Sequence, residues 1–104
     1  MKYEVDITQN NIFEGSTGDP HGCAMAIAIG EKFHCPSVTM NEITFSDECD
    51  TLSFGTSKKI AQWIKDFDDG ILVYPKRLVF DAEEEYAYFS EERQETNSEN
   101  DKTD

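Results

Sequence analysis

The sequence predicts an α+β domain: a small, mostly antiparallel sheet, two helices, and an acidic, disordered C-terminal tail. Three observations lead there. Residues 2–8 alternate apolar and polar, the pattern of a half-buried strand. Residues 57–69 carry Ile60, Trp63, Ile64 and Phe67 at the spacing of one helix face. Residues 91–104 contain six acids, two bases and no apolar side chain, so they cannot bury enough surface to fold. The chain therefore divides into one domain, residues 1–90, and a tail, residues 91–104.

The elements follow in order. Tyr3, Val5 and Ile7 share the inward face of the first strand. Residues 9–22, rich in Asn, Gly and Asp, read mostly as loop, with Thr8 able to cap a single turn carrying Ile12 and Phe13. Asp19-Pro20 reads as a helix start, an N-cap with proline at the first helical position. Met25, Ile29 and Phe33 then recur every four residues, and small Ala24, Ala26, Ala28 and Gly30 would let a neighbour approach closely. Residues 38–45 and 51–54 read as strands, with a bulge or turn near Asn41-Glu42, where the parity of apolar positions slips. The second helix is capped by Thr56 or Ser57 and ended by Gly70. Residues 71–74 and 78–80 read as strand interrupted by Pro75, and residues 86–89 as a short last strand or turn.

Composition bounds the function. A net charge of −13 on 104 residues argues against direct binding to nucleic-acid phosphate. Removing the tail leaves 16 acids and 7 bases on residues 1–90, so the folded part is itself acidic. Solubility alone asks for a net charge of only about 2–8 in a small domain. The longest apolar stretch, residues 23–29, is too short to span a bilayer, and no charged-then-apolar leader opens the chain. Three cysteines, an odd number, fit reduced thiols and a cytoplasmic setting better than a disulfide framework.

Chemistry-bearing motifs are sparse. His21, Cys23, His34 and Cys35 are zinc-type donors, but their spacing fits no common closed site, so no metal or cofactor is expected. Cys23 in a first helical turn would favour a thiolate, yet it opens an apolar run and is better read as buried. Gly15, Gly18 and Gly22 do not have the spacing of a phosphate-binding loop. Asp47, Glu48 and Asp50 resemble part of a calcium loop without its glycine or terminal glutamate.

Acid placement is more informative. Lys58 and Lys59 open the second helix and Asp66, Asp68 and Asp69 close it, the reverse of what the macrodipole favours. Asp81, Glu83, Glu84 and Glu85 precede Tyr86 and Tyr88, mixing charge with side chains enriched in interfaces. These nine residues are the candidate partner-binding set. The net charge equals that of roughly seven base pairs of duplex.

Gly15, Gly18-Asp19, the run from Cys23 to Ala28, Trp63-Ile64, Phe67-Asp68-Asp69-Gly70 and Pro75 together resemble a pattern in small, mostly uncharacterised acidic proteins carried by bacteriophages and prophages. The resemblance covers residues 3–81, with Pro20 standing where similar proteins often carry a first cysteine. It implies a phage or mobile-element context. The leading expectation is then a non-enzymatic inhibitor of a host defence system of the anti-CRISPR or anti-restriction type, acting in the host cytoplasm. It would occupy a basic nucleic-acid-binding surface, for example on a nuclease, without binding nucleic acid or membrane itself. Two other classes remain: an assembly accessory that homodimerises through a sheet edge, and a small metal or thiol protein using His21, Cys23 and His34.

Overall fold

In the computed structural model, which describes residues 1–48 and 50–93, one six-stranded sheet carries three α-helices on its inner face. The strands are β1 (Lys2–Ile7), β2 (His34–Val38), β3 (Glu42–Asp47), β4 (Asp50–Thr56), β5 (Lys76–Asp81) and β6 (Tyr86–Phe89). The helices are α1 (Gln9–Glu14), α2 (Ala24–Gly30) and α3 (Lys58–Asp68). Strand order is β1-β5-β6-β4-β3-β2. The α+β class is as expected, but two details differ. There are three α-helices among the described residues, not two, and β4 pairs in parallel with β6, which makes the sheet mixed.

α1 forms where mostly loop was expected because Thr8 and Asn11 cap it reciprocally. The Thr8 hydroxyl accepts from Asn11 N–H at 3.2 Å, and Asn11 Oδ1 accepts from Thr8 N–H at 2.8 Å. α2 starts four residues after the expected Asp19-Pro20. Asp19 instead folds its carboxylate onto His21 N–H at 3.0 Å, and Cys23 is the N-cap. Its alanines are buried, as a close approach requires. The close approach, however, is made by Gly15, where an added Cβ would lie 2.4 Å from Ala24 N and 2.9 Å from Phe67 Cζ; at Gly30 the nearest atom is an ordinary 3.5 Å away.

α3 matches its expected span. Ser57 Oγ accepts from Ile60 N–H at 3.2 Å, and Gly70 takes the left-handed φ of 78° that ends the helix. Residues 71–75, expected to be partly strand, pair with no strand. Only Val73 of this apolar run is buried. The parity slip near Asn41 is a tight β2–β3 turn, and β2 begins earlier than expected, through a bulge between His34 and Ser37.

Register sets the two faces of the sheet. Val5 opposes Leu78, Tyr3 opposes Phe80, Leu78 opposes Phe89, and Ile43 opposes Phe54, all toward the helices. Phe45, at the centre, lies 5.4 Å from Phe54 and 5.0 Å from Phe80, ring centre to ring centre. Met25, Ile29, Ile60 and Ile64 close this core from the helix side. Burial of these large side chains stabilises the domain by roughly 1.5–3 kcal/mol each.

Beyond β6, Ser90–Arg93 form a 3-10 turn. Lys76 Nζ meets Glu91 at 2.9 Å. Glu92 Oε2 accepts from Ser57 Oγ at 2.8 Å and from Phe89 N–H at 2.6 Å. Glu91 and Glu92, placed in the expected tail, thus make contacts with the sheet and with the start of α3. The expected disorder of residues 94–104 lies outside the described residues.

Candidate functional site

The nine candidate residues separate into two neighbourhoods. Asp66, Asp68 and Asp69 lie at the end of α3, and each is held by a local partner. Asp66 accepts from Gln62 Nε2 at 2.8 Å, Asp68 accepts from Gly18 N–H at 2.8 Å, and Asp69 accepts from Lys65 Nζ at 2.7 Å. The Asp69 carboxylate holds the Lys65 ammonium pKa above its ordinary value. Asp68 joins α3 to the 15–23 loop, beside a cleft of about 210 Å³ lined in part by Cys23, Met40 and Ile64. Unfavourable as the macrodipole makes them, these carboxylates are tied into the fold.

The second neighbourhood is the β5–β6 turn. Asp81 is 8% exposed, and its Oδ1 accepts from Glu83 N–H at 3.0 Å and Glu84 N–H at 3.2 Å. That carboxylate organises the turn and is nearly buried, so it has little surface to offer as a member of the binding set. Tyr88, at 4% exposure, is likewise buried on the outer sheet face opposite Val79, with the Tyr86 ring 6.2 Å away. Tyr88 was expected to supply contact area because tyrosine interleaved with acids is common in interfaces; its burial leaves it little area to offer. Glu83, Glu84 and Glu85 are exposed.

A third acidic group, noticed in the sequence but not placed in the binding set, joins the second. Because β4 and β6 are parallel, with Gly55 beside Tyr86, the turns preceding the two strands open at the same end of the sheet. Gly55 N–H donates to Glu85 O at 2.9 Å. Asp47, Glu48 and Asp50 at the β3–β4 hairpin therefore lie on the Glu85 side of that pair, with Asp50 five residues or roughly 16 Å before Gly55. Sequence spacing alone could not join residues 47–50 to residues 83–85; the parallel strand pairing does it.

This sheet end is locally unfavourable in two ways. Glu48 and Glu85 both take left-handed backbone, with φ of 56° and 54°. Glycine and asparagine adopt that conformation readily, whereas other L-residues lose roughly 1–2 kcal/mol. Asp47 also lies directly across from Asp50 in the ladder, a like-charge pair that destabilises a sheet.

Among the described residues the thiol and imidazole groups make no comparable assembly. Cys23 is buried, its Sγ accepts from Ala26 N–H at 3.4 Å, and burial pushes its thiol pKa up, away from a reactive thiolate. His21 Nδ1 lies 3.2 Å from Pro36 O. Among the described residues no cluster of His, Cys, Asp and Glu could hold a metal ion. None of their helices is long and apolar enough to cross a membrane.

Both edges of the sheet are blunted. On β1 the Glu4 carbonyl accepts from Lys32 Nζ at 2.7 Å, and β2 contains Pro36 and the bulge. Comparison with protein-family models, with curated proteins and with solved structures finds no match to this chain.

Proposed function

We propose that this chain is a non-enzymatic interaction protein that occupies a basic nucleic-acid-binding surface, with the carboxylates of its sheet end standing where phosphates would bind. The observation that carries the reading is the placement of Asp47, Glu48, Asp50, Glu83, Glu84 and Glu85 at one end, two of them in left-handed backbone and two in a like-charge pair. Folding alone does not favour acids at Asp47, Glu48, Asp50 and Glu85. A cationic partner rewards them through steering and complementarity. Over about 16 Å, duplex DNA carries about nine charges; these six carboxylates supply about two thirds of that number.

In the phage or mobile-element setting that the sequence pattern implies, the natural partner is a host defence nuclease or its complex. The blunted edges give a homodimer through the sheet less support.

The test is displacement of labelled duplex from a panel of basic restriction and CRISPR nucleases, followed by fluorescence anisotropy. The native chain should displace DNA from at least one of them, with an affinity that falls steeply as salt rises. The triple variant E83Q/E84Q/E85Q should lose most of that activity while folding normally. The reading fails if no nuclease is displaced, or if the neutralised variant displaces DNA as well as the native chain.

A further inference from the structure

The cleft of about 210 Å³ beside Asp68 has a chemistry of its own. Four segments wall it: the 18–20 loop, the start of α2, the end of β2 with the turn after it, and α3. Cys23, Val38 and Ile64 are buried, so the floor is apolar. Met40, 46% exposed, adds a flexible thioether chain to the wall. An apolar cavity of roughly 150 Å³ holds a benzene, so a ligand of about four to six carbons fits this volume.

Its donors are used and its acceptors are left over. Gly18 N–H donates to Asp68 Oδ1 at 2.8 Å, Ala26 N–H at the start of α2 to Cys23 Sγ at 3.4 Å, and the Thr39 hydroxyl to Glu42 O at 3.1 Å. Asp19 Oδ1 accepts from His21 N–H at 3.0 Å. Among the described residues, Oδ2 of Asp19 and Oδ2 of Asp68 accept no hydrogen bond. No lysine, arginine or histidine among them lines the cleft. Lys65, the nearest cation along α3, is held by Asp69 at 2.7 Å, and His21 Nδ1 lies 3.2 Å from Pro36 O. Burial pushes the Cys23 thiol pKa up and the Asp68 charge adds to it, which places that carboxylate close to the floor. Two negative charges over an apolar floor select a ligand that is cationic at one end and aliphatic at the other. A hard metal ion asks for about six oxygens, whereas no group of three ligands exists among the described residues. A guanidinium pairs best with both oxygens of one carboxylate, and here each carboxylate has a single oxygen left. An ammonium, with three separately directed donors, suits two single oxygens better.

We propose that this cleft binds a small aliphatic amine in its protonated form, with the ammonium on Asp19 and Asp68 and the carbon chain against Val38, Ile64 and Met40. A few convergent polar groups in a largely apolar hollow are the usual make-up of a small-ligand site. Met40, unbranched, can pack along chains of differing length. The inference does not need the sheet end, which is built from other residues on other elements.

The test titrates n-butylammonium chloride into the isotope-labelled full chain at constant ionic strength, followed by amide chemical shifts. Butanol and butyrate keep the carbon chain without the cation, and ammonium chloride keeps the cation without the carbon chain. A capped glycine-lysine-glycine tripeptide carries the amine on a protein backbone. Butylammonium should shift residues 18–20, 23 and 38–40 saturably, and the comparators without both halves should bind roughly tenfold more weakly or worse. Asp68→Asn keeps an acceptor for Gly18 N–H and removes the charge, and Asp19→Asn does the same for His21 N–H. Each should weaken butylammonium binding roughly tenfold. The proposal is overturned if butylammonium leaves those residues unmoved, if butanol or ammonium chloride shifts them equally, or if either variant binds it unchanged. Shifts confined to residues 83–85 overturn it as plain attraction to other acids and leave the proposed function standing. Binding of the tripeptide without binding of butylammonium overturns it in favour of a partner's lysine.

Discussion

At the end of α3, Asp66, Asp68 and Asp69 are each matched to a donor from Gln62, the Gly18 backbone or Lys65. At the end of the sheet, Glu48 and Glu85 sit in backbone that disfavours them, and Asp47 faces Asp50. The first group would be kept by selection for folding alone, because removing it loses hydrogen bonds. The second would not. Net charge by itself cannot separate these cases, since a carboxylate of either group counts the same toward −13. Local geometry separates them, and it moves the functional weight from α3 to the hairpins.

The helix side should prove unforgiving. Gly15→Ala places a methyl group 2.4 Å from the Ala24 nitrogen and 2.8 Å from its Cα, a backbone clash that a rotamer change cannot relieve. We expect a loss of about 3 kcal/mol in denaturant unfolding. A loss below about 1 kcal/mol would mean that the α1–α2–α3 junction is loose, and the contrast between a woven end and a strained end would weaken.

Next in size is Asp81→Ala, which strands two amide donors in a nearly buried turn; about 2 kcal/mol should be lost. Glu83→Gln and Glu84→Gln, a few residues on, should change stability by no more than about 0.5 kcal/mol. Equal effects from all three would contradict the division between the structural carboxylate and the exposed ones. Smaller again is the pair Asp68→Ala and Asp68→Asn. The first removes the acceptor for Gly18 N–H and should lose about 1 kcal/mol; the second keeps an oxygen there and should be close to neutral. If Asp68→Asn costs as much as Asp68→Ala, charge rather than the hydrogen bond is what matters at that end.

At the sheet end the sign should reverse. Glu85→Gly and Glu48→Gly each relieve left-handed strain, and thermal unfolding should show stabilisation of up to about 1 kcal/mol, with part of the gain offset by glycine's greater freedom in the unfolded chain. The same variants should displace DNA from a nuclease less well. A variant that lost stability would remove the central support for selection on binding.

What could be read in advance followed physical range. The α3 stripe of Ile60, Trp63, Ile64 and Phe67 and the alternation of Tyr3, Val5 and Ile7 are local patterns, and both elements formed where expected. Thr8 caps the turn carrying Ile12 and Phe13 as expected, but the reciprocal half of the cap was not legible because Asn11 fills the place usually taken by Glu or Gln, although its shorter side chain still reaches back to Thr8. Asp19-Pro20 misled because an Asx turn uses the same residue as a helix cap, and the actual cap, Cys23, has only a weakly accepting sulfur. Residues 71–74 looked like strand because they are apolar, when only Val73 is in the core. The acidic end was illegible for a different reason: it depends on a parallel pairing between residues 31 apart in the chain, Gly55 with Tyr86 and Thr56 with Ala87.

The smallest effect tests whether any exposed carboxylate on the sheet is structural. On the outer face Arg77 Nε donates to Asp6 Oδ1 at 2.8 Å, and its Nη1 lies 3.7 Å from Glu4. The hydrogen bond to Arg77 holds the Asp6 carboxyl below its ordinary value, against a small opposing effect of burial. The folded state therefore binds that proton less readily than the unfolded chain. The resulting stability is present above the ordinary aspartate range and is lost as pH falls through the lowered value. Both partners are more than half exposed, at 53% and 59%, so solvent and salt screen most of it. Asp6→Asn should flatten only the acid limb of the stability profile, below about pH 4, and leave neutral-pH unfolding nearly unchanged. A large loss at neutral pH would place Asp6 with the carboxylates at the end of α3, as part of the fold. The expected small one leaves it as an ordinary surface pair, distinct from both acidic ends.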